Sequence, residues 1–413
     1  MQSPPSVRHP VVVLGAGIQG VCAALALRRE GYGVTLIDQA ANCMLRTSLI
    51  NEGKIHLGHV YANDATFRTS RLMLEAALQF APLVERFVGH PVSWPALRSN
   101  PFTYVIADDS LIDSSELFSH YARLNQHYVD SRLRPGWHYL GARPDALWSH
   151  APVPTPLNPR RAVAAVQTPE VSVDTQAFGA LLRTALATSG IETLYGHSVN
   201  EVSRTTTGFR SGGTTDAGTA WSRDSHVLVN CLWAGRLAID AQLGLLPPWR
   251  PAYRLKHRIL VDLPPRLAGL PSVTIALGPF GDLVTYPRRR TAYISWYPAC
   301  MRAWSTEIAV PATWTDVTAG AIDRDTAHAV IRDSLEAFDA IIPGMADCTN
   351  PRVAAGVIFA WGQSDIDDPT SQLHQRHEIG IHEQDHYFSI DTGKFTSAPL
   401  FADQLIHRLQ KSC

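Results

Sequence analysis

The sequence predicts an α/β protein in which a parallel, helix-covered layer is interleaved along the chain with an antiparallel, aromatic-rich lobe. Three observations carry that prediction. Residues 11–38 run strand, glycine turn, helix, strand. Residues 253–298 change to short alternating strands, and buried-type apolar strands occur on both sides of that block.

The chain has 413 residues, 45% hydrophobic and 18% charged, which is the composition of an ordinary globular protein long enough for two domains. Its 36 basic and 37 acidic residues nearly cancel. That balance gives no electrostatic footprint for nucleic acid or an anionic membrane surface. No apolar run reaches the length of a membrane span, and the start "MQSPPSVRHP" lacks the basic and apolar regions of a secretory signal. The six cysteines are scattered without a C-x-x-C pair, so free thiols in a reducing compartment, the cytoplasm, are expected.

Val11 to Leu14 is a short apolar run ending in glycines, which reads as a buried parallel strand. "IQGVCAALALRRE" carries apolar residues at helical spacing and ends in basic residues before Gly31, and "GVTLIDQ" is a second strand. Further helices are expected over 66–88, 175–190 and 324–341. "IETLYG" and "HVLVNCLWAG" read as strands, the latter running into a glycine turn. "YRLKHRILVDL", "SVTIALG", "DLVTYP" and "TAYISWYP" alternate as an antiparallel sheet.

Within "VVVLGAGIQGVCAALALRREGYGVTLID", Gly15, Gly17 and Gly20 form G-x-G-x-x-G between strand and helix, and Asp38 ends the second strand. Gly15 makes the tight turn, Gly17 admits a pyrophosphate at the helix N-terminus opened by Ile18, and Gly20 lets helix and strand pack closely. The Asp38 carboxylate suits the adenosine ribose hydroxyls and disfavours a 2′-phosphate. This Rossmann-like unit alone does not separate FAD from NAD.

Three more stretches do. "TSLINEGKIHLGHVY" at 47–61, "DSHVLVNCLWAG" at 224–235 and "FSIDTGKFTSAP" at 388–399 resemble conserved segments of the D-amino acid oxidase-like (DAO) superfamily of FAD-dependent oxidoreductases. The G-x-I-H-x-G motif is most similar to the branch holding 2-hydroxyglutarate and FAD-linked glycerol-3-phosphate dehydrogenases. The resemblance touches both ends and the middle of the chain. It implies a two-domain architecture of the DAO and glutathione-reductase kind: 8–88, 160–246 and 345–413 bind FAD, and 89–159 and 247–344 bind substrate.

The resemblance further implies non-covalent FAD contacted by Ser48, Asn51, Gly53, Lys54, Gly235, Thr392, Gly393, Lys394, Phe395 and Thr396. Ser48 and Asn51 would serve phosphate or loop geometry, and a helix opening near Ser397 would turn its N-terminus to the flavin. A solvent-facing Lys394 is the plain alternative. His56 is the expected catalytic base, taking the substrate's proton as hydride leaves for flavin N5, with oxygen or another acceptor reoxidising the flavin. Two rival roles for His56 are a packed histidine and a covalent flavin attachment point.

The stretch "IGIHEQDHYFSID" also holds H-E-x-x-H, a zinc-protease spacing that works only on a helix. Its alternating apolar residues and Gly380 predict a hairpin instead, so no metal is expected.

On "YRLKHRILVDL", Arg254, Lys256, Arg258 and Leu260 share one face. Lys256 or Arg258 would hold a substrate carboxylate or phosphate, or else face solvent. Tyr286 and Trp296 are candidate cavity walls or core residues, and Arg288 to Arg290 read as a solvated turn. The superfamily's carboxylate-binding arginine after a glycine is missing: Val357 and Ile358 follow Gly356, which counts against a simple α-amino acid. Arg352 is a poor replacement.

The expected activity is removal of a hydride from a C–OH or C–N centre of a small molecule. The alternatives are an amine or imino acid oxidase, a flavin monooxygenase (although no G-D-A-x-H-x-x-x-P segment occurs late in the chain), a non-enzymatic dinucleotide-binding protein and, last, a zinc hydrolase.

Overall fold

Val11 to Leu14 are all buried, as a strand covered on both faces must be. They belong to β1 (Arg8–Leu14), which leads through α1 (Ile18–Arg29) to β2 (Tyr32–Asp38). In the computed structural model, which describes residues 8–245, 249–278, 281–287 and 289–412, β1 pairs in parallel with β2 and with Val227–Asn230. Arg288, Cys413 and the start of the chain through Val7 lie outside the described residues.

The parallel layer has six strands, in the order Gly380–Gln384, Tyr387–Asp391, Val227–Asn230, β1, β2, Glu192–Tyr195. Val11 and Val13 face α1 and the helices Arg68–Val88 and Ala398–Ser412, while Val12 and Leu14 face Val202, Phe209 and Tyr387. Val202 and Phe209 come from a three-stranded antiparallel sheet, His197–Thr205, Gly208–Thr215 and Ala220–Ser225, that the sequence did not signal. Its strands are polar on their outer face and glycine-rich, so they lack the apolar run that marks a buried strand.

The second sheet has nine strands and is antiparallel except where Phe102–Ala107 pairs in parallel with Ser272–Ala276. Towards one end of it the strand Pro251–Asp262 is paired along both edges: Thr349–Trp361 on one, Thr291–Trp296 and Met301–Ser305 on the other. Two strands fall outside the layer expected of them. Ala162–Gln167 and Thr349–Trp361 lie in segments that the sequence placed with the parallel part, yet both pair into this sheet. In the second, Pro351, two alanines and Gly356 give little strand propensity, and pairing with Pro251–Asp262 decides its state.

The expected hairpin is present. Gly380–Gln384 pairs antiparallel with Tyr387–Asp391 through a two-residue turn with positive φ at Asp385 and His386. His382 and His386 therefore sit on strand and turn, not on one helix face. Among the described residues no three His, Cys, Asp or Glu side chains gather as a metal site, and no helix is long and apolar enough to cross a membrane. The five described cysteines are free thiols.

One buried carboxylate ties the parallel layer together. Asp240 accepts from the Tyr387 hydroxyl at 2.6 Å, Ser389 Oγ at 2.8 Å, Asn230 Nδ2 at 3.0 Å and Arg236 Nη1 at 3.1 Å. Arg289 and Arg290 are not simply solvated: Arg289 pairs with Asp174, the N-cap of helix Thr175–Ser189, and Arg290 donates to the Leu263 carbonyl.

Gly20 sets the crossing of β1 and α1. A Cβ there would lie 1.7 Å from the Gly15 carbonyl oxygen, so the helix must back away to admit one. Gly20→Ala is expected to cost about 3 kcal/mol, read as a lower denaturation midpoint in urea.

Candidate active site

A single cavity of about 600 Å³ runs from Asp38 past the glycine turn to the inner face of the nine-stranded sheet. At the β1 end, Gly15 has φ +93°, and a Cβ on it would meet the Cys231 carbonyl oxygen at 2.6 Å. Gly15, Gly17 and Ile18 line the cavity, whereas Gly20 packs behind it. Asp38 accepts from the backbone N–H of Ala16 at 2.5 Å and of Ala40 at 2.7 Å. Burial pushes its carboxyl up despite those bonds. A carboxylate has about four acceptor positions, so two remain for ribose hydroxyls. The Ile18 N–H donates to Ser48 Oγ at 3.0 Å, which puts a hydroxyl at the helix N-terminus beside Gly17. Gly235 lines the same end.

Asn51 serves loop geometry, accepting from the Gly53 N–H at 2.7 Å. Gly53 itself does not reach the cavity. Its φ is +70°, and a Cβ there would meet the Val173 carbonyl oxygen at 2.1 Å, so close packing explains the glycine.

The segment 53–59 crosses between the two layers with its backbone fixed at nearly every step. Ile55 N–H donates to Val171 O at 3.0 Å, and Val173 N–H donates to Gly53 O at 2.8 Å. His56 N–H donates to Thr396 Oγ1 at 2.9 Å, and that hydroxyl donates to Lys54 O at 3.2 Å. Thr396 therefore holds the loop and does not line the cavity. Leu57 N–H donates to Glu170 Oε2 at 2.5 Å. Glu170 is fully buried, also accepts from the Tyr104 hydroxyl, and has His59 Nδ1 at 3.5 Å. Burial would push its carboxyl up, but the His59 contact, the Lys54 charge and the Tyr104 hydroxyl hold it below its ordinary range.

These bonds leave the His56 side chain free. It is 4% exposed, stands edge-on to Tyr61 and lines the cavity with Nδ1 unpartnered. Burial, then the charges of Lys394 and Lys54, push its pKa well below that of free histidine, so the ring is neutral at pH 7. An unpartnered buried imidazole nitrogen, a glycine turn that admits no side chain and a carboxylate at the end of β2 fit an FAD lying along the cavity.

Thr392, Gly393, Lys394 and Phe395 line it, and the 3-10 turn Phe395–Ser397 leads into helix Ala398–Ser412. Lys54 is not a free contact: its ammonium is buried between Thr274 Oγ1 at 2.7 Å and Asp282 Oδ1 at 2.6 Å. Burial raises the Asp282 carboxyl, but Lys54 overrides that and holds it low.

Arg254, Lys256 and Arg258 all line the far wall. Arg254, not singled out from sequence, is 1% exposed. It donates from Nη1 to Tyr297 Oη at 2.6 Å and Asp365 Oδ1 at 3.1 Å, while Nε and Nη2 have no partner. Its period-2 spacing with Lys256 and Arg258 was the available signal. Arg376 had none. It reaches the cavity from the 372–378 stretch, with Nη1 on the Phe359 carbonyl and Nε on the Leu373 carbonyl, and burial and the Arg254 charge push its pKa down to about 10.

Val357 and Ile358 do line the wall, and Arg352 is exposed outside it. Arg254 and Arg376 supply guanidinium groups from elsewhere, which removes the ground for disfavouring an α-amino acid. Tyr286 and Trp296 do not line the cavity: Tyr286 lies under Arg289, and Trp296 packs edge-to-face on Phe338 in the core. Tyr293 and Tyr297 occupy the wall instead.

Two outcomes follow from this geometry. Glu170→Ala strands the Leu57 N–H and the Tyr104 hydroxyl and is expected to cost about 3–5 kcal/mol, with Glu170→Gln losing less in urea titration. Lys394 is pushed down to about 7 by burial and then by Arg376, so it gains its charge as pH falls through that value. Affinity for an inert carboxylate such as benzoate is therefore expected to rise several-fold between about pH 8 and about pH 6. Lys394→Met should flatten that pH dependence in equilibrium titrations.

Residues 10–406 match the family of FAD-dependent oxidoreductases designated DAO. A D-amino acid dehydrogenase of Azorhizobium caulinodans is 33% identical over 88 residues, which is 20% of this chain and 20% of that protein. The chain thus matches about a fifth of that relative's length. A glycine oxidase from Geobacillus kaustophilus superposes with a TM-score of 0.67 at 13% identity, over 98% of this chain and 95% of that one. The glycerol-3-phosphate dehydrogenase from Bacillus halodurans complexed with FAD gives 0.57 at 12% identity, over 98% and 64%. At those identities the two structures establish a shared fold. The family match is broader, running from the first strand through the glycine turn, the 53–59 loop and the closing helix, and by it the chain belongs to the DAO family of FAD-dependent oxidoreductases.

Proposed function

We propose that the protein oxidises the C–N bond of a small carboxylate-bearing amine. The observation that carries this reading is the unpartnered His56 Nδ1 in a chamber walled by buried, incompletely paired guanidinium groups. Arg254 and Arg376 hold the substrate carboxylate, Arg254 through the Nε and Nη2 donors that have no protein partner. The same positive surroundings disfavour an ammonium and favour the neutral amine, the form whose C–H bond can release a hydride. Loss of the hydride leaves the substrate as an iminium, and His56 Nδ1 takes one N–H proton from it to give the imine. Bound FAD supplies the two-electron acceptor.

The names of the relatives, D-amino acid dehydrogenase and glycine oxidase, support an amine. The six-stranded layer would hold the cofactor and the nine-stranded sheet the substrate. The partner is a small molecule, and free thiols with near-zero net charge suit the cytoplasm.

The test is anaerobic mixing of purified holoprotein with D-amino acids and with 2-hydroxy acids while the visible flavin bands are followed. Bleaching by amino acids is expected, and His56→Asn should slow it about 10²–10⁴-fold. Bleaching by hydroxy acids alone would move the reaction to C–OH. Flavin that stays in the acid-precipitated pellet would make His56 an attachment point and remove it as the base.

A further inference from the structure

Six cations line the substrate end of the cavity: Lys54, Arg254, Lys256, Arg258, Arg376 and Lys394. Among the described residues only two carboxylates line it with them, Glu52 and Asp282; Asp282 is committed to Lys54, and Asp365, outside the lining, answers Arg254 at one nitrogen. The whole chain has a net charge of −1, so this excess is local and built into the wall. One substrate carboxylate is too little charge to answer it.

The cations also fall into two places. Arg254 lies over Tyr297 and Trp304 and feels Arg376 and Lys394 beside His56. Arg258 lies over Tyr293, with Tyr286 and the exposed Arg352 as its charged and polar surroundings. Both arginines sit on the same face of the strand Pro251–Asp262, four residues apart, so their Cα atoms are separated by about 13 Å. Arg258 is half-buried and its Nε is a buried donor with no partner. A guanidinium is always charged, so burial adds to the cost of leaving that donor unanswered.

We propose that Arg258 is a second anion subsite, and that the substrate carries two acidic groups, one at Arg254 and Arg376 beside His56 and the other, a carboxylate or phosphate, at Arg258. This rests on the amine-oxidation reading for which end reacts. Lys256, between the two arginines on the strand, serves either group.

The experiment uses holoprotein and inert probes: dicarboxylates from malonate to suberate, monocarboxylates of the same chain lengths, and 3-phosphonopropionate. Binding is followed both by perturbation of the flavin spectrum and by tryptophan fluorescence. At least one diacid is expected to bind tenfold or more tightly than its monoacid, and Arg258→Gln should bring the diacids down to monoacid affinity while Arg258→Lys keeps part of the preference. Preference for 3-phosphonopropionate over succinate would assign the second group as phosphate, and the reverse as carboxylate.

Equal binding of diacids and monoacids by the unsubstituted protein would overturn the proposal without any variant, and so would a preference that survives Arg258→Gln. Diacid preference seen by fluorescence, with no amine able to bleach the flavin, would support the subsite and sink the amine reading. Bleaching by alanine as fast as by aspartate or glutamate would do the reverse.

Discussion

The geometry of the site depends on one buried carboxylate. Glu170 accepts from the Leu57 N–H and the Tyr104 hydroxyl and touches His59, groups carried by the crossing loop and by a strand of the nine-stranded sheet. A carboxylate sealed from water is tolerable only when its lone pairs are filled, and this one draws its partners from the loop and from the nine-stranded sheet. The 53–59 segment is thereby held by bonds to Val171, Val173, Thr396 and Glu170. Of its side chains, Lys54 and His56 line the cavity, and Lys54 is tied to Asp282.

The same economy explains why the cavity is charged as it is. Lys54 is neutralised by Asp282 and takes no part in the surplus, while Arg254 is only half satisfied by Asp365 and Tyr297. Buried donors without partners destabilise a fold, and Arg254 Nε and Nη2 and Arg258 Nε are such donors on residues of the cavity wall. The neutral state of His56 comes first from its burial and then from the charges of Lys394 and Lys54, which together leave the imidazole unprotonated.

The sequence made the β1–α1–β2 unit and the closing hairpin legible because both are local. Glycine spacing, an apolar run and a two-residue turn specify them without reference to distant residues. The placement of His382 on a strand and His386 in a turn was legible on the same local grounds. Long-range pairing was not legible. Thr349–Trp361 is a strand because Pro251–Asp262 lies beside it. Glu170 and Arg376 carry no local pattern, since a single charged residue in a loop reads as solvated until the fold buries it. Arg254 lay within reach, on the same alternate face as Lys256 and Arg258. Tyr286 and Trp296 show the limit of that rule, for strand residues near a cavity can as easily face the core.

The strand Pro251–Asp262 is hydrogen-bonded along both edges, so its backbone is set by main-chain bonds that no side-chain change touches. Its alternate positions project into the chamber as a row of independent fittings. A lineage could exchange one of them, by a single codon change, and so alter what the chamber accepts while the glycine turn and the His56 loop stay as they are. The division of labour between the two sheets is therefore also a division of evolutionary risk.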